Sequence, residues 1–327
     1  MSISSPVTRM APAKVNLYLH VTGKREDGYH ELDSLVVFAG IGDRITVEPG
    51  EGLSLTITGP FAQGLSTGED NLVPRAARLL ADHKGISTGA HLTLEKNLPV
   101  ASGIGGGSGD AAATFKALVE FWAIELEDAD IQHVAHSVSD DLDTQRALAT
   151  LFKLWRDDLG SEMLGTLGLQ LGADVPVCLA GFPAFMGGIG EQLEITPHMP
   201  RAWLVLVNPG VALSTPAVFK ARQSAFSTAA RFDQHPSDAA HLAQILKQRR
   251  NDLAAPAIAM QPVIKNVLAA IDECEATLLA RMSGSGATCF GLYAHENEAK
   301  SAKTRLSQTH PEWWIEAAEL LDTPLDD

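Results

Sequence analysis

Cysteine, aromatic residues and positive charge are all scarce in this 327-residue chain. Its three cysteines, Cys178, Cys274 and Cys289, are odd in number and widely spaced, and no C-x-x-C pair occurs. That argues against a disulfide framework or a zinc site and fits a reducing cytoplasm, with each thiol a small buried hydrophobe. Lys and Arg total 25 against 40 Asp and Glu, a formal net charge of −15. Non-specific nucleic-acid binding and adhesion to an anionic membrane both need the opposite sign. The acidic surplus serves solubility, and it leaves room for a phosphorylated small molecule, which a few local cations and backbone N–H groups can hold. The opening stretch, residues 1–14, lacks the apolar core of a signal peptide. Only Leu171–Gly190 is apolar over a membrane-like length, and Asp174, Pro176, Pro183, Gly172, Gly181, Gly187 and Gly188 interrupt it. Strand and turn are predicted there instead.

What remains is an ordinary globular composition, 45% hydrophobic and 20% charged, over a length that suggests two domains. Val15, Leu17 and Leu19 alternate with Lys14, Asn16, Tyr18 and His20, which predicts a strand with one apolar and one polar face. Further strands are predicted at Arg44–Glu48, Leu53–Thr58, His91–Glu95, Trp203–Val207, Thr288–Tyr293 and Trp313–Ala317. Helices are expected over Asn71–Lys84, ending at Gly85, then from Asp110 to about Trp122, and over Ala239–Arg250 and Gln261–Ala280. The stretch Glu125–Leu164 holds ten acidic against three basic residues and reads as a solvated helical excursion. Strands and helices mix without a βαβ rhythm, so the fold class expected is α+β.

The strongest chemical signal is the run Leu98–Ala113, in which Gly103, Gly105, Gly106, Gly107, Ser108 and Gly109 lead from a strand into an alanine-rich helix. Glycines let successive N–H groups converge without Cβ obstruction, and a helix N-terminus adds partial positive charge, so the run can cradle phosphates. No G-K-[ST] follows, so it is not a Walker A loop, and the spacing fails the dinucleotide fingerprint because Ser108 stands where the third glycine would fall. Asp174 lies between Ala173 and Val175 in an apolar run, where a carboxylate is costly unless paired.

Three segments in order, Ala11–Leu17, Pro99–Ser108 and Met282–Phe290, resemble the motifs of the galactokinase, homoserine kinase, mevalonate kinase and phosphomevalonate kinase superfamily. Within it, Thr22–Leu32, Glu69–Leu72, Leu171–Val177, Pro209–Val211, Thr215–Pro216 and Phe219 are similar to the branch acting on a cytidine diphosphate ester of methylerythritol. The likeness spans about residues 11 to 293. It implies ATP-dependent phosphorylation of that substrate's 2-hydroxyl in isoprenoid precursor synthesis by the non-mevalonate route, with Mg²⁺, in a cytoplasmic monomer or homodimer. It further implies an ATP-binding domain over 1–200, like ribosomal protein S5, with the excursion at about 120–153. A ferredoxin-like substrate domain would follow over 201–327, the active site lying in the cleft between.

The resemblance also assigns roles. Lys14 and Asp174 would form the catalytic pair, with Asp174 taking the hydroxyl proton or merely orienting the group; a purely structural ion pair is the other reading. The loop Pro99, Val100, Ala101, Ser102, Gly103, Ile104, Gly105, Gly106, Gly107, Ser108 and Gly109 would hold the phosphates, Ser108 serving phosphate, Mg²⁺ or a helix N-cap. Asn71 and Lys96 are candidates beside the nucleotide base. Asn16, Tyr29, His30, Thr215 and Phe219 are candidates for the cytidyl substrate. Gly284 and Gly286 would either admit its diphosphate or form a tight turn. Gly109 replaces an expected serine, so a phosphate-facing hydroxyl is expected to be missing. The open alternatives are a homoserine or mevalonate type of kinase and a non-catalytic nucleotide-binding regulator; the Gly28-Tyr29-His30 segment speaks for cytidine, and retention of both Lys14 and Asp174 speaks for catalysis.

Overall fold

The computed structural model describes residues 5–124 and 161–323. The acidic excursion over residues 125–160 lies outside the described residues. Two long strands lead the chain: β1 (Val7–Lys24) and β2 (His30–Pro49) form an antiparallel hairpin. A short turn closes it, with Arg25 N–H donating to the Tyr29 carbonyl and Gly28 at φ +91°. Register shifts at Pro12/Ala13 and Asn16/Tyr18 bracket Lys14 and Asn16, and such bulges re-aim side chains. β3 (Leu53–Thr58) pairs parallel with β4 (Ala90–Glu95), and β4 pairs with β2.

Between β3 and β4 runs α1 (Leu72–Lys84), with the bounds its caps imply. Asn71 Oδ1 accepts from Val73 N–H at 2.9 Å, and Gly85 closes the helix in the left-handed region at φ +63°. α2 (Gly106–Phe121) begins four residues earlier than the apolar spacing predicts, because Gly105 caps it at φ +67° and the glycines join its first turn. Ser108 is therefore inside that turn and is not the N-cap. α3 (Ser161–Leu171) and α4 (Val175–Ala180) precede β5 (Ala184–Gly188) and β6 (Gln192–Ile195). The first half of the apolar run expected as strand and turn is thus largely helix, while its second half is turn and strand as expected: α4 buries every residue, so no periodicity marks it.

The second half contains β7 (Trp203–Asn208), α5 (Thr215–Ala221), α6 (Ala239–Lys247), α7 (Ala254–Met260), α8 (Val263–Asp272), β8 (Leu279–Met282), β9 (Cys289–Tyr293), α9 (Glu296–Thr309) and β10 (Trp314–Leu321). The helix expected over Gln261–Ala280 is shorter, since its last residues turn into β8. Strands β10-β7-β9-β8 lie side by side and antiparallel, crossed by α8 and α9. That is the split β-α-β arrangement of a ferredoxin-like unit. β10 also pairs with β2 through Leu320 and Leu321, joining all ten strands into one sheet. The fold is α+β. Among the described residues no helix is long and apolar enough to cross a membrane.

Three apolar cores flank this sheet. One lies under α1 to α4, one joins β1 and β2 to β7, β9 and α6, and one lies under α7, α8 and α9. β1 threads all three: Ala11 belongs to the first, Val15 and Leu17 to the second, Leu19 and Val21 to the third. Each fully buried Val or Leu contributes about 1.5–3 kcal/mol, so the strand is firmly anchored. Its polar face is buried as well, with Lys14, Asn16 and His20 each at most 5% exposed. The strand predicted to carry one apolar and one polar face pairs with β2 among the described strands, yet both of its faces are covered, and Lys14 and Asn16 of the polar face line a cleft. Arg281 ties it to α6, donating to the carbonyls of Leu17, Leu246 and Arg249 at 2.7–2.9 Å.

Residues 222–237 form an irregular strap over the hairpin. Asp252 accepts from Val21 N–H at 2.8 Å, Ser227 Oγ at 2.5 Å and Arg250 Nε at 2.7 Å. Burial pushes the Asp252 carboxyl up, but those donors outweigh it and hold the group below its ordinary value of 3.8. A depressed carboxyl contributes stability that is fully present above the unfolded value and lost as pH falls through the folded one. Asp252→Asn should therefore lower Tm near neutral pH, and the gap from wild type should close as pH falls below about 4. A gap that stays constant from pH 7 to pH 2.5 in thermal melts would remove Asp252 from this role.

Candidate active site

A cleft of about 1490 Å³ opens between the hairpin, the glycine run and α5. Its floor is β1. Lys14, 4% exposed at its side chain, places Nζ 3.2 Å from Asp174 Oδ2 and donates to Asn16 Oδ1 at 3.0 Å. Asn16 in turn donates to Ser34 Oγ at 2.8 Å, so both of its amide ends are fixed. Asp174 sits at the start of α4, makes no capping bond, and is 38% exposed. The buried couple expected from the apolar run is thus half open: the lysine is buried, while the carboxylate faces the cleft.

The wall above is the glycine run. Ala101, Gly103 and Gly105 all have left-handed φ, at +51°, +76° and +67°. Alternation of this kind turns neighbouring N–H groups toward one side, the geometry of an anion nest. Gly103 is required by packing as well, since a Cβ there would lie 2.7 Å from the carbonyls of Ser283 and Gly286. Gly105 lets Lys14 pass beneath, with its Cβ position only 3.0 Å from Lys14 Cβ. Gly103→Ala meets backbone on both counts, at about 1–2 kcal/mol for the left-handed φ alone. The resemblance to ATP-dependent kinases implies, in steady-state assays, a loss of roughly tenfold or more in kcat/KM for ATP, with a lowered Tm. Wild-type kinetics in that variant would show that the loop's docking does not matter.

Residues expected along the loop divide into two groups. Pro99, Val100, Ala101, Ser102, Gly103, Gly105, Gly106, Gly107 and Ser108 line the cleft. Ile104 and Gly109 are buried behind it: the Ile104 carbonyl accepts from Lys14 N–H at 3.0 Å, and Gly109 faces Ala11. A side chain at 109 would meet Ala11 Cβ at 3.6 Å, so the hydroxyl expected to be missing would have pointed at β1 rather than at a phosphate. Ser102 is committed to the Pro99 carbonyl at 2.6 Å.

Lys96 and Asn71 both reach the cleft wall, yet neither is free. Asn71 caps α1 and donates to the Ser66 carbonyl at 2.8 Å. Lys96 Nζ donates to Asp43 Oδ2 at 2.5 Å and Asp110 Oδ2 at 2.6 Å, all three side chains being at most 5% exposed. Asp43 Oδ1 also takes the N–H groups of Asn97 and Leu98, which fixes the strand-to-loop corner. Asp110 Oδ1 is buried, with no hydrogen-bond partner among the described residues. Burial pushes the Asp110 carboxyl up to about 7 despite Lys96, while the two carboxylates outweigh burial and raise Lys96. Nothing local in the sequence marks Asp43, which is 53 residues from its lysine.

At the far end stand the aromatic candidates. Tyr29 projects from the hairpin turn, 61% exposed. His30 and Phe219 stack with centroids 5.1 Å apart at 24°. Thr215 opens α5 and its hydroxyl lies 2.8 Å from that of Ser285, which the cleft adds to the expected set. Gly284 lines the cleft; Gly286 does not, and packs toward Met282 and Leu213.

The family model described as GHMP kinases N terminal domain matches residues 71–147, and that described as GHMP kinases C terminal matches 232–312. The 4-diphosphocytidyl-2-C-methyl-D-erythritol kinase of Paramagnetospirillum magneticum is 52% identical over 95% of this chain and 97% of its own. That of Rhodospirillum rubrum is 49% identical over 96% of this chain and 93% of its own. A crystal structure of a 4-(cytidine 5'-diphospho)-2C-methyl-D-erythritol kinase superposes with a TM-score of 0.70 at 31% identity, covering 96% of this chain and 98% of that one. With that identity, that coverage and both kinase domains matched in order, the chain belongs to the 4-diphosphocytidyl-2-C-methyl-D-erythritol kinase family of GHMP kinases.

Proposed function

We propose that the chain transfers the γ-phosphoryl group of ATP to the 2-hydroxyl of 4-diphosphocytidyl-2-C-methyl-D-erythritol, releasing ADP, in the non-mevalonate route to isoprenoid precursors. One observation carries the site assignment: the Lys14–Asp174 pair stands in the same cleft as the glycine nest and the His30–Phe219 stack. The nest amides and the start of α2 hold the triphosphate, and Lys14 offsets charge on the transferred group. Asp174, open to the cleft, accepts the hydroxyl proton as the new O–P bond forms and the bond from γ-phosphorus to the β-phosphate oxygen breaks. Asn16, held at both ends, and Thr215 with Gly284 position the polyol and its phosphates. Tyr29 and the His30–Phe219 pair hold the cytosine ring.

Mg²⁺ is the expected companion of the triphosphate. An ion riding on phosphates needs only one or two protein oxygens, and Ser108 in the first turn of α2, with the unpartnered Asp110 Oδ1 near by in sequence, fits that donor set. When bound it neutralises charge shared between the β- and γ-phosphates. The chain divides near residue 200 into an ATP-binding unit and a substrate unit, and it works as a cytoplasmic monomer or homodimer without nucleic-acid partners. ADP release measured with three acceptors tests the function: the cytidyl substrate should support turnover while homoserine and mevalonate do not. Turnover with either of those alone would contradict it.

A further inference from the structure

Five cations line the cleft, and two are already neutralised. Lys14 faces Asp174, and Lys96 faces Asp43 and Asp110. Lys24, Lys220 and Arg222 are the others. Among the described residues none of these three has a carboxylate within 4.0 Å. In a chain with a net charge of −15, three unneutralised cations at one end of one cleft form a local positive focus.

Arg222 is the most constrained of them. It closes α5, with its N–H donating to the Phe219 carbonyl at 3.3 Å. Its Nη2 donates to the Ala225 carbonyl, and its Cζ lies 4.9 Å from the centroid of Phe226, a ring 51% exposed at the cleft. Its Nε is buried, with no hydrogen-bond partner among the described residues. The planar fork is held in place by its own loop through Nη2, and Nη1, neither bonded nor buried among the described residues, is preorganised for an oxyanion in the cleft. Lys24 is the cross-strand partner of His30. His30 is held below its ordinary value, first by burial and then by the fields of Lys24 and Arg222, so both cations stand close to the aromatic stack.

We infer that Arg222, assisted by Lys24, is a specificity-determining residue that grips the diphosphate of the cytidyl substrate and distinguishes a nucleoside diphosphate from the bare nucleoside. The inference rests on the cytidyl reading of the cleft given above. It assigns a use to the strap, whose inner end is pinned by Asp33 and Asp252 while its outer end carries Arg222 and Phe226 to the substrate.

The test measures cytidine and cytidine 5'-diphosphate binding by calorimetry, with the ATP site filled by a non-hydrolysable ATP analogue. Arg222→Gln should weaken the diphosphate by about 10- to 100-fold and leave cytidine within about twofold. Arg222→Lys should fall between, since it keeps charge and loses the fork. Lys24→Gln should show a smaller loss in the same direction. Affinity for the ATP analogue and the Tm of the free protein should not move. If wild type binds both ligands and Arg222→Gln leaves their ratio unchanged, or weakens both in parallel, this inference falls and the cytidyl reading stands. If wild type binds neither, both fall.

Discussion

Asp174→Asn should reduce kcat by about 10²- to 10⁴-fold, the range lost when a positioned general base is removed, while ATP affinity stays within about twofold of wild type. The carboxylate is free to act: it makes no capping bond, it is more than one-third exposed, and among the described residues its one ion pair is the 3.2 Å contact with Lys14. The amide preserves shape and fills the same space, so folding and nucleotide binding should survive. The glycine nest proposed to hold the triphosphate is built from backbone and does not include residue 174. A variant with wild-type kcat would take Asp174 out of proton transfer; one that binds no ATP would place it in nucleotide binding instead.

Lys96→Met should destabilise the fold by about 3–5 kcal/mol, the penalty of leaving buried charge uncompensated. For a chain of this size that corresponds to a fall in Tm on the order of 10 °C. The lysine lies between Asp43 and Asp110, and without it two buried carboxylates face each other across a site that excludes water. Asp110, already pushed up to about 7 by burial, would hold its proton more tightly still. The loss should therefore be smaller at pH 5 than at pH 8, because protonation of Asp110 relieves the repulsion. Adding Asp110→Asn to Lys96→Met should recover part of the stability. Thermal melts of the two variants at both pH values decide the matter, and a single variant as stable as wild type would mean the triad holds nothing together.

The sequence announced some of this architecture and concealed the rest for identifiable reasons. α1 was legible because Asn71, Pro74 and Gly85 are capping and turn chemistry that acts locally. β3 was legible because Leu53, Leu55 and Ile57 alternate with polar residues along an edge strand. β1 misleads, since its polar face is as buried as its apolar one and alternation reports polarity, not solvent. α4 has six residues, all buried, with Pro176 near its start, so length and periodicity both fail. The onset of α2 is set by the left-handed Gly105 amid other glycines, where no residue type distinguishes cap from loop.

The site followed the same division. Lys14, Asn16, the glycine loop, His30 and Phe219 sit within compact motifs, and the fold gathers them into one cleft. Asp43 and Arg222 act through partners far off in sequence or on an irregular strap, so only the folded chain brings them forward. The exposure of Asp174 was equally hidden: its apolar neighbours are buried in α4, but the helix start turns the carboxylate outward.

A crystal structure with a non-hydrolysable ATP analogue and the cytidyl substrate tests the central claim most directly. The triphosphate should lie against the nest at 101–107, and the 2-hydroxyl oxygen within about 2.6–3.2 Å of the Asp174 carboxylate. The γ-phosphorus should lie about 3–3.5 Å from that oxygen. A triphosphate seated away from the glycine run, or a 2-hydroxyl turned from Asp174, would contradict it.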